Sequence, residues 1–365
     1  LLFCNRPDAA ASSVFGGIRT PGRSFRQETN MRGIHLEYDI IRGYTIINGF
    51  GFTSLTPPHN IHDAIIVKCE GGSDCEAPQY DVPYHSIEEY IETINRNMLE
   101  KAVVILDDIS FLPQCPTLKH LNIIPSYQAS PKFDFSPLYD MPEILKLTCQ
   151  NRYGDREQYL SEIDFARIRG LTSLGFVANK GTINYNKVET LKTLHVADFT
   201  GENRDLSDLT CSRSLDSLRL IQCKMRSLNG IEVSNRMQCL QLYYNRSLRD
   251  ISALSRVKET LWALRLENCS KIEDFSVLEE LENLQVLELS GGNALPKLSF
   301  LKKMKKLKMF DFSMNVLDGN LEPCLDIPYA YSMRNRKHYN LKDRELPKGK
   351  YVLEDDGIEE WRRLT

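Results

Sequence analysis

The chain has 365 residues with 46 basic and 49 acidic side chains, a formal charge of −3. That length suits one long domain or two ordinary ones, and the near-neutral balance argues against bulk nucleic-acid binding, which shows as a strong basic excess. No run of 18 apolar residues occurs, so no membrane-spanning helix is expected.

Residues 1–30 read as a disordered extension or an artefact. Leu1-Leu-Phe-Cys4 opens an Ala-, Ser-, Gly- and Arg-rich stretch with little periodicity. A lipoprotein-type signal would need a longer apolar run before Cys4, and an Arg- and Ser-rich, acid-poor start also has the character of a transit peptide. Patterned sequence begins after Met31.

Residues 31–106 read as a small α/β unit. Tyr44-Thr-Ile-Ile47, Ala64-Ile-Ile-Val67 and Val103-Val-Ile-Leu106 are strand candidates. Ser86 to Leu99 is a helix: Ser86-Ile-Glu-Glu89 is a capping box, and Ile87, Tyr90, Ile91, Ile94 and Met98 make one apolar face. Within this unit His59, His62, Asp63, Cys69 and Cys75 could be offered as metal ligands. Their spacing fits no zinc pattern, and surface histidines with core thiols are the plainer account.

The rest of the chain is organised by one phrase. Leu261-Trp-Ala-Leu-Arg-Leu-Glu-Asn-Cys269 reads L-x-x-L-x-L-x-x-C. It returns at Leu215 to Cys223, Met237 to Asn245 and Leu307 to Asn315, and more loosely at Leu118, Leu171, Leu191 and Leu284. With the fourth position as marker, the series is Leu121, Leu145, Leu174, Leu194, Leu218, Leu240, Leu264, Leu287 and Phe310, spaced 20 to 29 residues apart. The Leu145 copy is the weakest, because Pro142 stands where its first leucine should be. L-x-L is the alternation of a strand with one buried face. One such strand cannot bury its own apolar side, but stacked repeats can merge their leucines into one core. The closing Asn or Cys stands where the chain turns inward and can bond backbone groups that would otherwise be buried unpaired. Between the phrases stands apolar-Ser-x-Leu, as in Ile109-Ser-Phe-Leu112, Ile251-Ser-Ala-Leu254 and Phe275-Ser-Val-Leu278. Its Ser is the expected cap of a short helical turn.

This pattern resembles the leucine-rich repeat family over residues 107–315, and the Ser-bearing connection is similar to that of bacterial internalin-type repeats. The resemblance implies an α/β solenoid: a curved parallel sheet with short convex helical turns. It also implies action by binding. Residues 31–106 would be an N-terminal α/β cap, and residues 316–365 a C-terminal cap and tail, with Trp361 able to pack on the last repeat.

No chemistry stands out. Gly71-Gly72 and Gly291-Gly292 lack the Lys-Ser/Thr of a phosphate-binding loop, and no G-x-S-x-G elbow appears. Some bacterial repeat proteins of this type carry a ubiquitin-ligase domain with a catalytic cysteine. Cys324 is the cysteine beyond the repeats, in a short Pro-rich segment without partners around it. Lys302, Lys303, Lys305, Lys306 and Lys308 fall on a convex turn with Leu301, Met304 and Leu307 facing in, so a solvated face accounts for them. The ten cysteines lie mostly singly, as buried reduced thiols do, which favours a cytoplasmic protein over a secreted or surface one.

The expected function is therefore non-enzymatic: a monomeric scaffold, without cofactor or metal, that binds another protein through its concave face. The residue between each pair of leucines is expected to be exposed there: Asn122, Lys146, Gly175, His195, Arg219, Gln241, Arg265, Glu288 and Asp311. Next outward come Ile124, Thr148, Val177, Ala197, Ile221, Tyr243, Glu267, Ser290 and Ser313. Nine strands make a face roughly 40 Å long. The partner-binding candidates are Lys146, His195, Arg219, Gln241, Tyr243, Arg265, Glu267, Glu288 and Asp311, with Arg and Tyr as central anchors. The plainer reading of Arg265 and Glu288 is a cross-strand salt bridge worth little. The rival functions are an internalin-like adhesion protein at the cell surface and an enzyme or metal site in the N-terminal unit.

Overall fold

The computed structural model describes strands at 25–27, 36–41, 44–48 and 64–68, and residues 85–125, 133–149, 162–209 and 212–349. The metal candidates His59, His62, Asp63, Cys69 and Cys75, and Trp361, lie outside these. The strands are β1 (Phe25–Gln27), β2 (Leu36–Ile41), β3 (Tyr44–Asn48), β4 (Ala64–Lys68), β5 (Lys101–Ile105), β6 (His120–Ile123), β7 (Lys146–Cys149), β8 (Ile163–Asp164), β9 (Ser173–Val177), β10 (Thr182–Ile183), β11 (Thr193–Ala197), β12 (Ser217–Ile221), β13 (Cys239–Tyr243), β14 (Ala263–Glu267), β15 (Val286–Ser290), β16 (Met309–Phe312) and β17 (Tyr329–Ser332). All but β8 and β10, which pair with each other, join one sheet in sequence order. The first pairings are antiparallel. From β4 to β17 the sheet is parallel, 12 strands in all.

Register is kept without slip. Leu218, Leu240, Leu264, Leu287 and Phe310 stand opposite one another, as do Leu220, Leu242, Leu266, Leu289 and Phe312. All ten are buried in one core that runs the length of the solenoid. A slip of one residue would turn this whole set to the other face.

One repeat departs from the sequence reading. Leu147, not Leu145, pairs with Leu121 and Leu174. Ile144 is buried as the first apolar residue of that phrase and Cys149 as the third, while Leu145 is only half-buried. The phrase is thus regular, Ile144-x-x-Leu147-x-Cys149, and two adjacent leucines had hidden its frame.

The connections are 3₁₀ turns on the convex side, among them Ser252–Val257, Ser276–Glu280 and Ser299–Lys303. Their caps are not the expected serines. An aspartate two residues earlier accepts the Ser backbone N–H: Asp108 from Ser110, Asp134 from Ser136, Asp205 from Ser207, Asp250 from Ser252 and Asp274 from Ser276, at 2.7–3.0 Å. The Ser hydroxyl donates to the same carboxylate at Ser110, Ser136 and Ser207. The motif is Asp-apolar-Ser, in which a short acceptor reaches the N–H two positions on.

Helix α1 (Ile87–Arg96) carries the expected capping box at Ser86 and Glu89 and lies between β4 and β5 as the crossover of a parallel pair. Tyr90 and Ile94 are buried, but Met98 is 73 % exposed. The helix ends at the Asn97 cap and Met98 takes a left-handed φ of 50°, so Leu99 turns inward instead.

The sheet does not break at residue 106 or at residue 315. After Asn315 it gains β17, and Pro347–Gly349 then runs antiparallel along the open edge of β17. Pro347 accepts from Ala330 N–H, and Gly349 N–H donates to Pro328. The backbone groups of that edge are satisfied by the chain itself.

The Asp caps give a pH signature. Hydrogen bonds from the Ser252 hydroxyl and backbone hold Asp250 below its ordinary value, and those from the Ser276 backbone and hydroxyl do so for Asp274. A carboxylate held low stabilises the fold above its unfolded pKa and loses that contribution as pH falls through its folded value. Asp250→Ala should cost about 1 kcal/mol at neutral pH. Urea unfolding as a function of pH should show the gap to the parent closing only in acid.

Candidate functional site

Side chains alternate along each strand, so the sheet's outer face, the concave one, is lined by three rows. The central row comprises Asn122, Thr148, Gly175, His195, Arg219, Gln241, Arg265, Glu288, Asp311 and Tyr331. Thr148 takes the place expected of Lys146. Lys146 stands one row earlier, between His120 and Ser173, as the new frame requires.

The expectation that this row is exposed does not hold. Asn122, Thr148, His195, Arg219, Gln241 and Glu288 are buried; Gln241 is 1 % exposed and Arg219 6 %. Arg265 and Asp311 are half-buried. Neighbouring strands lie only about 4.8 Å apart, so long side chains in one row cover one another.

The centre of the face is a chain of hydrogen bonds. Arg219 Nε and Nη2 donate to Gln241 Oε1 at 3.0 and 2.6 Å, and the Tyr243 hydroxyl donates to the same oxygen at 2.8 Å. Arg265 Nη1 donates to the Tyr243 hydroxyl, and Nε and Nη2 make a two-point ion pair with Glu288. The guanidinium carbons of Arg219 and Arg265 lie 5.3 and 5.5 Å from the centre of the Tyr243 ring, within reach of cation–π attraction. The sequence candidates Arg219, Gln241, Tyr243, Arg265 and Glu288 therefore form one constellation. His195 stands opposite Arg219 on the neighbouring strand, Lys146 lies three strands from Arg219, and Glu267 is a half-buried neighbour in the third row.

Charge states follow from this packing. Burial works to lower the Arg265 pKa, but Glu288 and Tyr243 overcome it and hold the guanidinium charged. Burial pushes Tyr243 up, against the pull of Arg219 and Arg265. Asp311 is pushed up to about 7, first by burial and then by Glu288. At the other end His120 is lowered to about 4 by burial and by Lys146 and Lys101, so it is neutral at physiological pH.

After β12, β13 and β14 the chain turns inward, and the closing residue bonds the repeat before it. Asn245 Oδ1 accepts from Cys223 N–H at 2.8 Å, and its Nδ2 donates to Leu220 C=O at 3.0 Å. Cys223 Sγ approaches the carbonyls of Val196 and Ile221, and Cys269 Sγ those of Leu242 and Glu267. This is a leucine-rich repeat solenoid. A second hydroxyl ladder, which the sequence reading missed, crosses the stack near the first leucine of each phrase. Thr190, Ser212, Ser234 and Thr260 donate to the carbonyls of Leu171, Leu191, Leu215 and Met237.

No protein-family model matches the chain, and a search of curated proteins finds no match. Among solved structures, it is similar to an internalin (InlF) from Listeria monocytogenes str. 4b F2365. The identity is 14 %, the match covers 76 % of this chain and 92 % of that one, and the TM-score is 0.45. The repeat assignment rests on the solenoid's own register and ladders.

The six described cysteines of the solenoid are buried thiols outside any disulfide. Burial raises the thiols of Cys115 to about 11 and of Cys223, Cys269 and Cys324 to about 12. A nucleophilic thiol needs the opposite shift, so Cys324 is a core residue. Lys302, Lys303, Lys305 and Lys306 are exposed while Leu301, Met304 and Leu307 are buried, as a solvated turn requires. Among the described residues no helix is long and apolar enough to cross a membrane, and no three metal-ligating side chains cluster.

Two stability predictions follow from these ladders. Asn245→Ala leaves a buried N–H and a buried carbonyl unpaired and should cost roughly 2–4 kcal/mol. Asn245→Cys should be milder, because Cys223 and Cys269 fill the same place in their repeats; urea denaturation ranks the two. Arg265→Ala strands Glu288, whose side chain is 9 % exposed. It should cost about 2–3 kcal/mol, less than a fully buried pair because Arg265 is partly solvated. The double variant Arg265→Met/Glu288→Met should recover most of that loss. A double variant less stable than Arg265→Ala would contradict the stranded-charge account.

Proposed function

We propose that this protein is a non-enzymatic scaffold that binds another protein through the outer face of its sheet, centred on Arg219, Gln241, Tyr243, Arg265 and Glu288. The observation that carries the reading is the hydrogen-bonded chain through these side chains. Arg and Tyr are the residues that most often anchor protein interfaces, and anchors already held in place lose little freedom on binding. Concave sheets of solenoids are extended binding surfaces. Lys146, His195, Glu267 and Asp311 flank this centre and would supply the rim. The segments before β6 and after β16 act as caps of the stack. Buried, separated thiols with raised pKa values suit a reducing compartment, and we assign the protein to the cytoplasm on that ground.

The test is binding from source lysate by the full chain and by Arg219→Ala/Tyr243→Ala. This pair leaves the Arg265–Glu288 ion pair intact, so the fold should survive, as circular dichroism would verify. A central anchor pair is worth at least ~2 kcal/mol, so partner affinity should fall at least about 30-fold. A partner that binds both forms equally would place the interface elsewhere on the solenoid.

A further inference from the structure

A second surface lies on the flank of the solenoid, where the strands end. After β12 and β13 the chain turns through the left-handed residues Gln222 and Tyr244, both at a φ of 56°. Cys223 and Asn245 then dip into the core, and the chain emerges again. What emerges is basic. Lys224 and Arg226 belong to one repeat and Arg246 and Arg249 to the next, with Arg204 in the repeat before and Lys271 in the repeat after. All six are exposed, and the apolar side chains among them, Met225, Leu248 and Ile272, are buried.

The backbone holds these like charges in register. Arg226 N–H donates to Arg204 C=O at 2.7 Å, Arg249 N–H donates to Arg226 C=O at 3.0 Å, and Ser227 bridges Asp250 in parallel. Three arginines thus stand on three successive repeats at strand spacing, about 4.8 Å per step. Like charges opposite one another in a ladder are destabilising. None of the six has an ion pair or a side-chain hydrogen bond among the described residues, and the adjoining carboxylates of Asp205 and Asp250 are taken up in capping Ser207 and Ser252. On the convex turns of the same stack, opposite signs face each other from repeat to repeat: Arg256 with Glu232, Lys258 with Glu280 and Lys303 with Glu279.

We propose that this flank is a second docking surface, which takes an extended acidic segment of a protein partner. Charge complementarity calls for an anion, and the arginines specify a carboxylate. Four of the six cations are arginines, whose planar guanidinium grips a carboxylate at two points. Three arginines over two strand steps span about 10 Å, the length of an extended run of about three or four residues. No large apolar side chain is exposed among them. The patch therefore lacks the stacking platform of a single-stranded nucleic-acid site and the apolar face by which a surface helix enters a membrane. It is separate from the centre formed by Arg219 and Glu288, whose side chains lie on the sheet's outer face.

The experiment titrates the full chain into a labelled oligoglutamate peptide, read by fluorescence anisotropy at low salt, with phosphatidylserine vesicles and a single-stranded oligonucleotide as parallel probes. The peptide should bind, and Arg226→Gln/Arg249→Gln should weaken it about tenfold. Both positions are exposed, so the variants should fold, as circular dichroism would verify. Arg226→Lys/Arg249→Lys keeps the charge but loses the two-point contact, and it should bind less tightly than the parent. No binding of the peptide, unchanged affinity in the Gln variant or full affinity in the Lys variant would overturn the proposal. Tighter binding of the vesicles or the oligonucleotide than of the peptide would overturn it too, by assigning the flank to another class of ligand. The outer-face variant Arg219→Ala/Tyr243→Ala should bind the peptide as the parent does, which keeps this test apart from the one above; a loss there would move the acidic segment to the outer face.

Discussion

Each repeat buries polar backbone that it cannot satisfy alone. Where a strand ends and the chain turns toward the core, the carbonyl of Leu220 and the amide of Cys223 are covered, and their partners come from Asn245 in the next repeat. The hydroxyl of Ser234 does the same for Leu215. These bonds link nearest neighbours only, so the solenoid is a stack of mutually dependent units, and neither end can be left bare. The antiparallel strands and the helical crossover at one end, and the Pro347–Gly349 edge at the other, follow from that need.

The inner face is uniform because the core demands it, whereas the outer face is free to vary. Its central row is a varied set of polar side chains that cover and bond one another. A polar row of this kind costs little where every member is satisfied, and it is rigid for the same reason. The apolar row beside it is different: two buried donors, on Trp262 and Ser217, are left without described partners.

The sequence carried most of the fold because its information is periodic. Nine returns of one phrase give strands, parallel pairing and a shared core, and the Asn or Cys at the inward turn was readable from residue type alone. The misplaced repeat shows the limit. Leu145 and Leu147 are both leucines, and only pairing with Leu121 and Leu174 selects the second. The Asp-apolar-Ser cap was present in the sequence, but both Asp and Ser are good caps, and the choice depended on which side chain reaches a free N–H.

For the outer face, the sequence determined which residues share a row, since alternation and register are one-dimensional facts. It did not determine their exposure or their partners. Arg219, Gln241, Tyr243 and Arg265 look like separate solvated side chains when read along the chain, because each lies more than twenty positions from its partner in the next strand. Burial of this row was decided by the spacing of stacked strands, which is a property of the assembled sheet. The same holds for Ser217 and Trp262: only the folded neighbourhood shows that their donors are buried. The sequence by itself fixed the repeat and its period, and the tertiary structure alone decided which polar groups are paired, because pairing across strands depends on distances that no single repeat contains.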